Sequence, residues 1–256
     1  MALADVIIII SRDGGAFLSR WLHVVVGITW IGLLYYFNFV QVPAFAEMEG
    51  AARNNAIDKL ASRALWWFRW AAVATLVTGI MILLFQKAGD KAQLFSGDYM
   101  KSTPGISIFT GVLLAVTMFL NVWLVIWPNQ KKVIANARNV QAGGDADPTA
   151  AAAGRKALLA SRMNAIFSLP MLFFMVGTSH FLGGFFKPFP DGSDRGIYWA
   201  IAIVIWLVLE LSALGVIGGT KPGGINAIFD THKAAIVTGF VLVVVYYVLF
   251  YVMFKV

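Results

Sequence analysis

The fold class of this chain is decided by one stretch near its N-terminus, which reads RWLHVVVGITWIGLLYY at residues 20–36. The stretch is apolar enough to cross a bilayer, and yet it carries a cation at Arg20 and an imidazole at His23. Ionisable groups are costly inside hydrocarbon, so that one placed there is by default a candidate for function. We therefore predict that this helix crosses the membrane and forms one wall of a cofactor site.

The composition of the whole chain indicates an integral membrane protein. Of the 256 residues, 59% are hydrophobic and only 13% are charged, whereas a soluble domain carries about 25% charged residues. An apolar run of about 20 residues crosses the hydrocarbon core, and six such runs lie at 16–40, 65–85, 105–127, 163–186, 196–217 and 231–254. We predict an all-α integral membrane protein, a single domain of residues 1–256 built as a bundle of about six transmembrane helices.

The longest connection between these runs is basic. Residues 128–162 contain six cations, which are Lys131, Lys132, Arg138, Arg155, Lys156 and Arg162. Because cytoplasmic loops carry an excess of Lys and Arg, we predict that 128–162 is a cytoplasmic loop and that both termini face the other side. Contact with the lipid bilayer and its anionic head groups accounts for the formal charge of +7, so that no nucleic-acid partner is expected.

The absence of cysteine narrows the choice of cofactor. A chain with no cysteine forms no disulfide, no iron–sulfur cluster with Cys ligands and no c-type haem attached through a Cys-x-x-Cys-His motif. Any redox cofactor must therefore be held by histidine, methionine, carboxylates or packing.

Two of the three histidines are predicted to lie at the same depth. The first and fourth runs are antiparallel, so that the start of the first lies at the same membrane surface as the end of the fourth. At 1.5 Å per residue, His23 lies about 10 Å from that start and His180 about 9 Å from that end. Two imidazoles at matching depth are what a bis-His haem b needs, and Arg20 would pair with a propionate. Hydrogen bonds to neighbouring helices are the alternative role for these histidines. Nearby glycines would allow a flat macrocycle to approach, namely Gly27, Gly32, Gly177, Gly183 and Gly184.

Two other ionisable residues lie in or beside the apolar runs. Glu210 is placed deep in the fifth run, where a carboxyl group is either neutral and hydrogen-bonded between helices or part of a proton path. His232 falls at the opposite surface from His23, at the start of the sixth run. A solvated helix start with Asp230 or Thr231 as N-cap accounts for His232 without a functional role.

Several short motifs follow one another along most of the chain from Arg20 onward. They are Trp21-Leu22-His23 with Gly27, Trp30-Ile31-Gly32, Tyr35, Phe37-Asn38-Phe39 and Pro43, then Phe119-Leu120-Asn121-Val122-Trp123, then Ser161-Arg162 with Asn164, Ser168-Leu169-Pro170 and Ser179-His180. In this order they resemble the membrane domain of the bacterial urate hydroxylase (membrane urate oxidase) family. Met163, where the family often has histidine, departs from the pattern. The first motif also resembles membrane proteins of the protoporphyrinogen oxidase type, which bind haem b.

The resemblance implies a redox membrane domain in the bacterial inner membrane, with urate or another purine as substrate. A pocket formed by Arg162, Asn164 and Asn121 is one candidate substrate site, although the predicted topology places it in the leaflet opposite the histidines. Family members that oxidise urate carry a C-terminal cytochrome c domain. Because this sequence ends at Val256 and contains no cysteine, we expect the electrons to pass to a separate cytochrome c.

Two other classes of function stay open at this point. The chain is small and 14% aromatic, which suits a cofactor-free accessory subunit that packs against a larger membrane respiratory or oxidase complex. A small transporter with Glu210 as its coupling group is the third hypothesis. It ranks last because the inverted repeats typical of secondary transporters are not evident.

Overall fold

Six long helices build the protein. The computed structural model describes residues 11–182 and 184–256. The N-terminus and Gly183 therefore lie outside the described residues, and the predicted non-cytoplasmic position of the N-terminus stays a prediction. In the described part, six helices are long and apolar enough to cross a membrane, namely α1 Arg12–Glu47, α2 Gly50–Phe85, α3 Thr103–Gln141, α4 Ala150–His180, α5 Gly192–Ala213 and α6 His232–Phe254. The predicted all-α membrane bundle is therefore confirmed, and the protein is a multi-pass membrane protein.

Three of the long helices contain a π-helical segment, in which each turn holds an extra residue. These segments are Tyr36–Gln41 in α1, Ile57–Ala61 in α2 and Asn121–Ile126 in α3. Short π segments inside α-helices are frequent at functional sites because they re-aim side chains. Here the segments of α1 and α3 each carry a buried asparagine, Asn38 and Asn121.

The remaining elements in the described residues are short and lie between the long helices. The α2–α3 connection holds a hairpin of β1 Lys87–Ala88 and β2 Lys91–Ala92, which pair antiparallel with Lys87 opposite Ala92. One-turn helices complete the connections, at Gln93–Phe95, Gly97–Lys101, Gly224–Asn226 and Ala227–Asp230.

Helix α4 lies at the centre of the bundle. Its most apolar window is 67% buried, against at most 39% for any other long helix. Two glycines allow its neighbours to approach closely. A Cβ atom at Gly111 of α3 would lie 2.8 Å from Met175 Cγ, and one at Gly239 of α6 would lie 2.7 Å from Leu169 Cδ1. Side chains placed on α4 are therefore enclosed by α3 and α6.

Helix α1 changes its partner along its length. Near the start of α1, Arg12 Nε donates to the Phe85 carbonyl at the end of α2, at 2.8 Å. Further along, the Tyr35 and Ser168 hydroxyl oxygens are 2.8 Å apart, and Asn38 Nδ2 donates to Ser161 Oγ at 2.8 Å. Hydrogen bonds thus tie the N-terminal half of α1 to α2 and its C-terminal half to α4.

The connection that we predicted as a loop over 128–162 is mostly helical. Helix α3 continues to Gln141 and α4 begins at Ala150, so that only 142–149 separates them. The extension of α3 is fixed to α2 because the Arg138 guanidinium donates to the Asp58 carboxylate. The alanine-rich run after residue 148 forms the first turn of α4.

Two helices end earlier than the sequence predicts. Helix α4 ends at His180 because the Leu182 N–H turns back to the Gly177 carbonyl at 2.7 Å, which the absence of a side chain at Gly177 permits. Helix α5 ends at Ala213 because Gly215 adopts a left-handed φ of +77°, a common glycine-based helix end. As a result, Glu210 lies in the last turn of α5 rather than deep in a longer helix.

Candidate functional site

His23 is held by two threonines of α2. Its Nδ1 lies 2.9 Å from the Thr75 carbonyl oxygen and 3.1 Å from Thr78 Oγ1. The helices approach closely here, since a Cβ at Gly79 would lie 3.1 Å from His23 Cε1. The imidazole is therefore half-buried in a fixed position against α2.

These contacts determine which nitrogen of His23 carries the proton. The Thr75 carbonyl oxygen can only accept a hydrogen bond. The Thr78 hydroxyl donates to the Ala74 carbonyl at 2.7 Å, so that toward His23 its oxygen acts as an acceptor. Nδ1 must therefore be protonated, and the neutral ring keeps its lone pair on Nε2. Histidines that bind metals have this arrangement, in which one ring N–H donates to a carbonyl oxygen and the other nitrogen is the ligand.

The surface of α1 beside His23 is apolar and open. Gly27, one turn after His23, has no atom within 4 Å of the position that a Cβ would take, and the same holds for Gly32. The side chains of Val24 and Ile28 are 54% and 68% exposed. This part of α1 thus offers space and apolar surface for a flat group, as the sequence predicts for a haem.

His180 lies at the level of His23 but on another helix. The Tyr35–Ser168 hydrogen bond sets the register of the antiparallel helices α1 and α4. His23 precedes Tyr35 by twelve residues, and His180 follows Ser168 by twelve residues, which is roughly 18 Å along each helix. The equal-depth prediction is thus consistent with the register. His180 is exposed at the end of α4, and the described residues show no contact between the two rings.

The other predicted residues at this end of the bundle occupy different environments. Arg20 is exposed, one turn before His23, where its guanidinium can reach the edge of a ligand bound beside Nε2. Gly184 is open like Gly27, whereas a Cβ at Gly177 would lie 3.0 Å from the Leu182 side chain. Gly177 therefore makes room for the Leu182 side chain at the end of α4 and not for a macrocycle.

Asn121, Asn164 and Glu210 form one buried cluster between α3, α4 and α5. Asn121 Nδ2 donates to Asn164 Oδ1 at 3.0 Å and to Glu210 Oε2 at 3.2 Å. Asn164 Nδ2 donates to the Met118 carbonyl at 2.9 Å. Because these side chains partner one another, the cluster ties three helices together, and Glu210 becomes part of a polar network.

Arg162 stands apart from this cluster. Residues two positions apart point to nearly opposite sides of an α-helix, so that Arg162 and Asn164 face different neighbours. Arg162 is 2% exposed, and its Nε and Nη1 atoms have no hydrogen-bond partner among the described residues. Burying a charge without a partner is costly. The predicted pocket of Arg162, Asn164 and Asn121 is therefore divided between two faces of α4.

A groove lies along the face of α4 that carries Arg162. Ala165 and Leu169 follow Arg162 at spacings of three and seven residues, which places them on one helix face. They line a cavity of about 150 Å³ with residues of α1 and α6, which are Tyr35, Phe39, Ile236 and Phe240. The Tyr35 and Phe39 rings stack at 5.0 Å with an angle of 20° between their planes. The groove is thus flat-walled and apolar, with a buried cation on the α4 face that lines it.

His232 lies near this groove and not near His23. Its ring centroid is 6.4 Å from that of Phe39, and it opens α6 directly after Thr231, whose side chain accepts from the Ala234 N–H at 3.0 Å. The expected N-cap role of Thr231 is therefore confirmed. Asp230 binds Arg155 instead, at 2.7 Å.

Sequence reasoning missed Thr75, Thr78 and the Tyr35–Phe39 stack as parts of these sites. Thr75 and Thr78 lie in the apolar run of α2 at a spacing of three, and two threonines on one face of a membrane helix are a signal for a polar partner on the neighbouring helix. Tyr35 and Phe39 are four residues apart, which is the spacing of side chains that meet on a helix.

Comparison with known families gives one match. Residues 92–208 match the family described as Urate oxidase N-terminal. No curated protein and no solved structure matches the chain. The matched segment holds α3, α4 and most of α5, including Asn121, Arg162, Asn164 and His180, while His23 lies outside it. The resemblance found in the sequence is thus confirmed over residues 92–208, whereas the motifs from Trp21 to Pro43 lie outside the matched segment.

Proposed function

We propose that the protein is a membrane oxidoreductase or electron-transfer subunit that binds haem b. His23 and His180 would hold the haem, and Arg20 would pair with one of its carboxylate groups. The observation that carries the proposal is the contact of His23 Nδ1 with the Thr75 carbonyl, because it assigns the proton to Nδ1 and leaves the Nε2 lone pair free for a metal. Haem b supplies one-electron redox chemistry when it is bound.

The residues of the chain have distinct tasks in this proposal. Thr75 and Thr78 hold the Nδ1–H of His23, which fixes the ring orientation and makes Nε2 a better donor to a metal. Gly27 leaves room beside the ring. The exposed position of His180 at the end of α4 allows its side chain to turn toward a group held at the same level by His23.

The family match supports a proposal for the substrate, and the composition supports one for the electron acceptor. Because the matched family is a urate oxidase family, we propose urate or a related purine as the electron donor. The chain has no cysteine for a c-type haem, and we propose that electrons leave to a separate cytochrome c in the bacterial inner membrane. Glu210 is the one carboxyl group of the Asn121–Asn164 cluster and the candidate for a proton path there.

Optical spectra of the detergent-purified protein test this proposal. The wild type, oxidised and then reduced with dithionite, is expected to show a low-spin b-type spectrum and a positive pyridine haemochrome assay. His23→Ala and His180→Ala should each lose the low-spin spectrum, because each removes one axial ligand. His232→Ala is the matched control, since the third histidine lies near Phe39 and should leave the spectrum unchanged.

A colourless protein from haem-replete cells would contradict the proposal. If assembly into a larger complex persisted in the double His23→Ala and His180→Ala variant, the protein would be an accessory subunit. Proton-coupled uptake abolished by Glu210→Gln would instead identify a transporter.

A further inference from the structure

We infer that the groove beside Arg162 binds a planar anion, in the half of the bundle away from the two histidines. The inference deepens the proposed function by locating a substrate site, and it rests on that function only for the identity of the natural ligand. The binding itself rests on the aromatic wall of Tyr35 and Phe39 and on two groups that flank the cavity without lining it. These are the buried charge of Arg162, one helix turn before Ala165, and the oxygen of Asn38, which has no partner among the described residues and precedes Phe39.

The buried charge of Arg162 favours an anionic ligand. The side chain is 2% exposed, and neither Nε nor Nη1 has a partner in the described residues. Among the described residues, the charged group that acts on it electrostatically is another cation, Arg155, whose own guanidinium binds Asp230. A guanidinium presents a planar fork of donors that fits carboxylate-like or enolate-like oxygen pairs. An anion bound beside Arg162 would supply the missing counter-charge.

The shape of the groove calls for a flat ligand. Its volume is about 150 Å³, and its walls are the Tyr35 and Phe39 rings on one side and Phe240 and Leu169 on the others. Stacked aromatic rings present a flat face on which another ring can stack. A branched or tetrahedral anion could pair with Arg162 but would leave this wall without contact.

Asn38 adds a hydrogen-bond acceptor at the same level. Its Nδ2 donates to the Leu34 carbonyl and to Ser161 Oγ, both at 2.8 Å, which fixes the orientation of the amide. Asn38 Oδ1 is then left fully buried and without a partner in the described residues. It can accept from an N–H group of a ligand. The three features together specify a singly charged nitrogen heterocycle.

The site is far from the proposed haem. Arg162 and His180 lie on one helix, eighteen residues apart, which corresponds to roughly 27 Å along α4. A ligand at Arg162 would therefore not touch iron held by His180 or His23. Binding of the anion should be independent of haem, and electrons from it would have to cross the protein.

Calorimetric titration of urate tests the inference. The protein is placed in nanodiscs of phosphatidylcholine, which carry no net charge, and the wild type is compared with haem-free His23→Ala. Both are expected to bind urate with the same affinity. Arg162→Gln should bind at least tenfold more weakly, and Phe39→Leu should also bind more weakly. Arg138→Gln is the matched control, because that arginine is exposed and bound to Asp58, and it should bind like the wild type.

Three further titrations define the ligand class. Caffeine, a neutral planar purine, and inorganic phosphate, a tetrahedral anion, are both expected to fail to compete with urate. Urate binding that is unchanged in Arg162→Gln would overturn the inference. Full displacement of urate by phosphate would also overturn it. Full displacement by anionic phospholipid would overturn it as well and would identify a lipid head-group site. If wild type and His23→Ala both bind urate through Arg162 but no haem is found, the proposed function fails and the anion site stands.

Discussion

Arg162 and Asn164 lie two residues apart on α4, equally buried, and their surroundings are opposite. Both ends of the Asn164 amide are paired, with Asn121 and with the Met118 carbonyl. The Arg162 guanidinium has two nitrogens without a partner in the described residues. A buried polar group that is satisfied within the chain holds the fold together, whereas one left unsatisfied requires an explanation, of which a bound ligand is one. Within one turn of α4, Asn164 is therefore a structural residue and Arg162 is a candidate binding residue.

The same contrast exists inside the His23 ring. Nδ1 is fixed by Thr75 and Thr78, and Nε2 remains available beside the open surface at Gly27. The satisfied nitrogen positions the ring, and the other is the candidate ligand. Variants of the satisfied and of the unsatisfied groups test this distinction.

Asn164→Leu should destabilise the fold. The substitution removes the hydrogen bonds that Asn164 makes with Asn121 and with the Met118 carbonyl, and we expect the free energy of unfolding to fall by about 2 kcal/mol. Thermal unfolding in detergent, followed by tryptophan fluorescence, measures the change. Asn55→Leu, at an exposed asparagine, is the control and should unfold like the wild type. Equal unfolding temperatures for both variants would show that the Asn164 cluster adds nothing to stability.

Thr78→Val should weaken haem binding without loss of the fold. The change removes one acceptor from the His23 Nδ1–H and keeps the side-chain shape, so that the ring is less firmly oriented. Loss of such a supporting partner lowers metal affinity about 10-fold or more. Haem transfer to apomyoglobin measures the dissociation rate. Thr78→Ser retains the oxygen and should behave like the wild type, and identical rates for valine and serine would remove Thr78 from the site.

Arg162→Met should stabilise the ligand-free protein. An apolar side chain of similar length removes the unpaired buried charge, and we expect a gain of about 1 kcal/mol. The measurement is the unfolding temperature in detergent without added anion. A marked loss of stability would reveal that Arg162 has a structural partner, and the contrast with Asn164 would fail.

Lowering the pH should loosen the connection between α5 and α6 slightly. Partial burial opposes ionisation of Asp230, but the Gly223 N–H and the Arg155 guanidinium outweigh it, so that its pKa lies below the ordinary 3.8. The stabilisation is thus complete above pH 3.8 and is lost as the pH falls through the lower value in the folded protein. Because the pair is partly exposed, the effect should stay below about 1 kcal/mol. Asp230→Asn should abolish this part of the pH dependence of unfolding, and an unchanged pH profile would contradict the assignment.

Apolar run length and residue chemistry predict much of this fold. Six apolar runs predict six helices, and the polar residues inside them mark positions of contact between helices, as the hydrogen bonds of Asn121 show. The helix ends differ because Gly177 and Gly215 act through local backbone geometry that hydropathy does not report. The pairing of His23 with Thr75 depends on how two helices are rotated against each other, and composition carries no information on rotation. The two-residue spacing of Arg162 and Asn164 places them on different faces of α4, but which helices they meet there depends on the packing.

Electron paramagnetic resonance of the ferric protein shows whether His23 Nε2 binds haem iron. The wild type should give a low-spin signal of two axial histidines. His180→Ala should keep haem through His23 and change to a high-spin, five-coordinate signal, while His23→Ala should lose the low-spin signal and most of its haem. An unchanged low-spin signal in His23→Ala, or the absence of any haem signal in the wild type, would contradict the account.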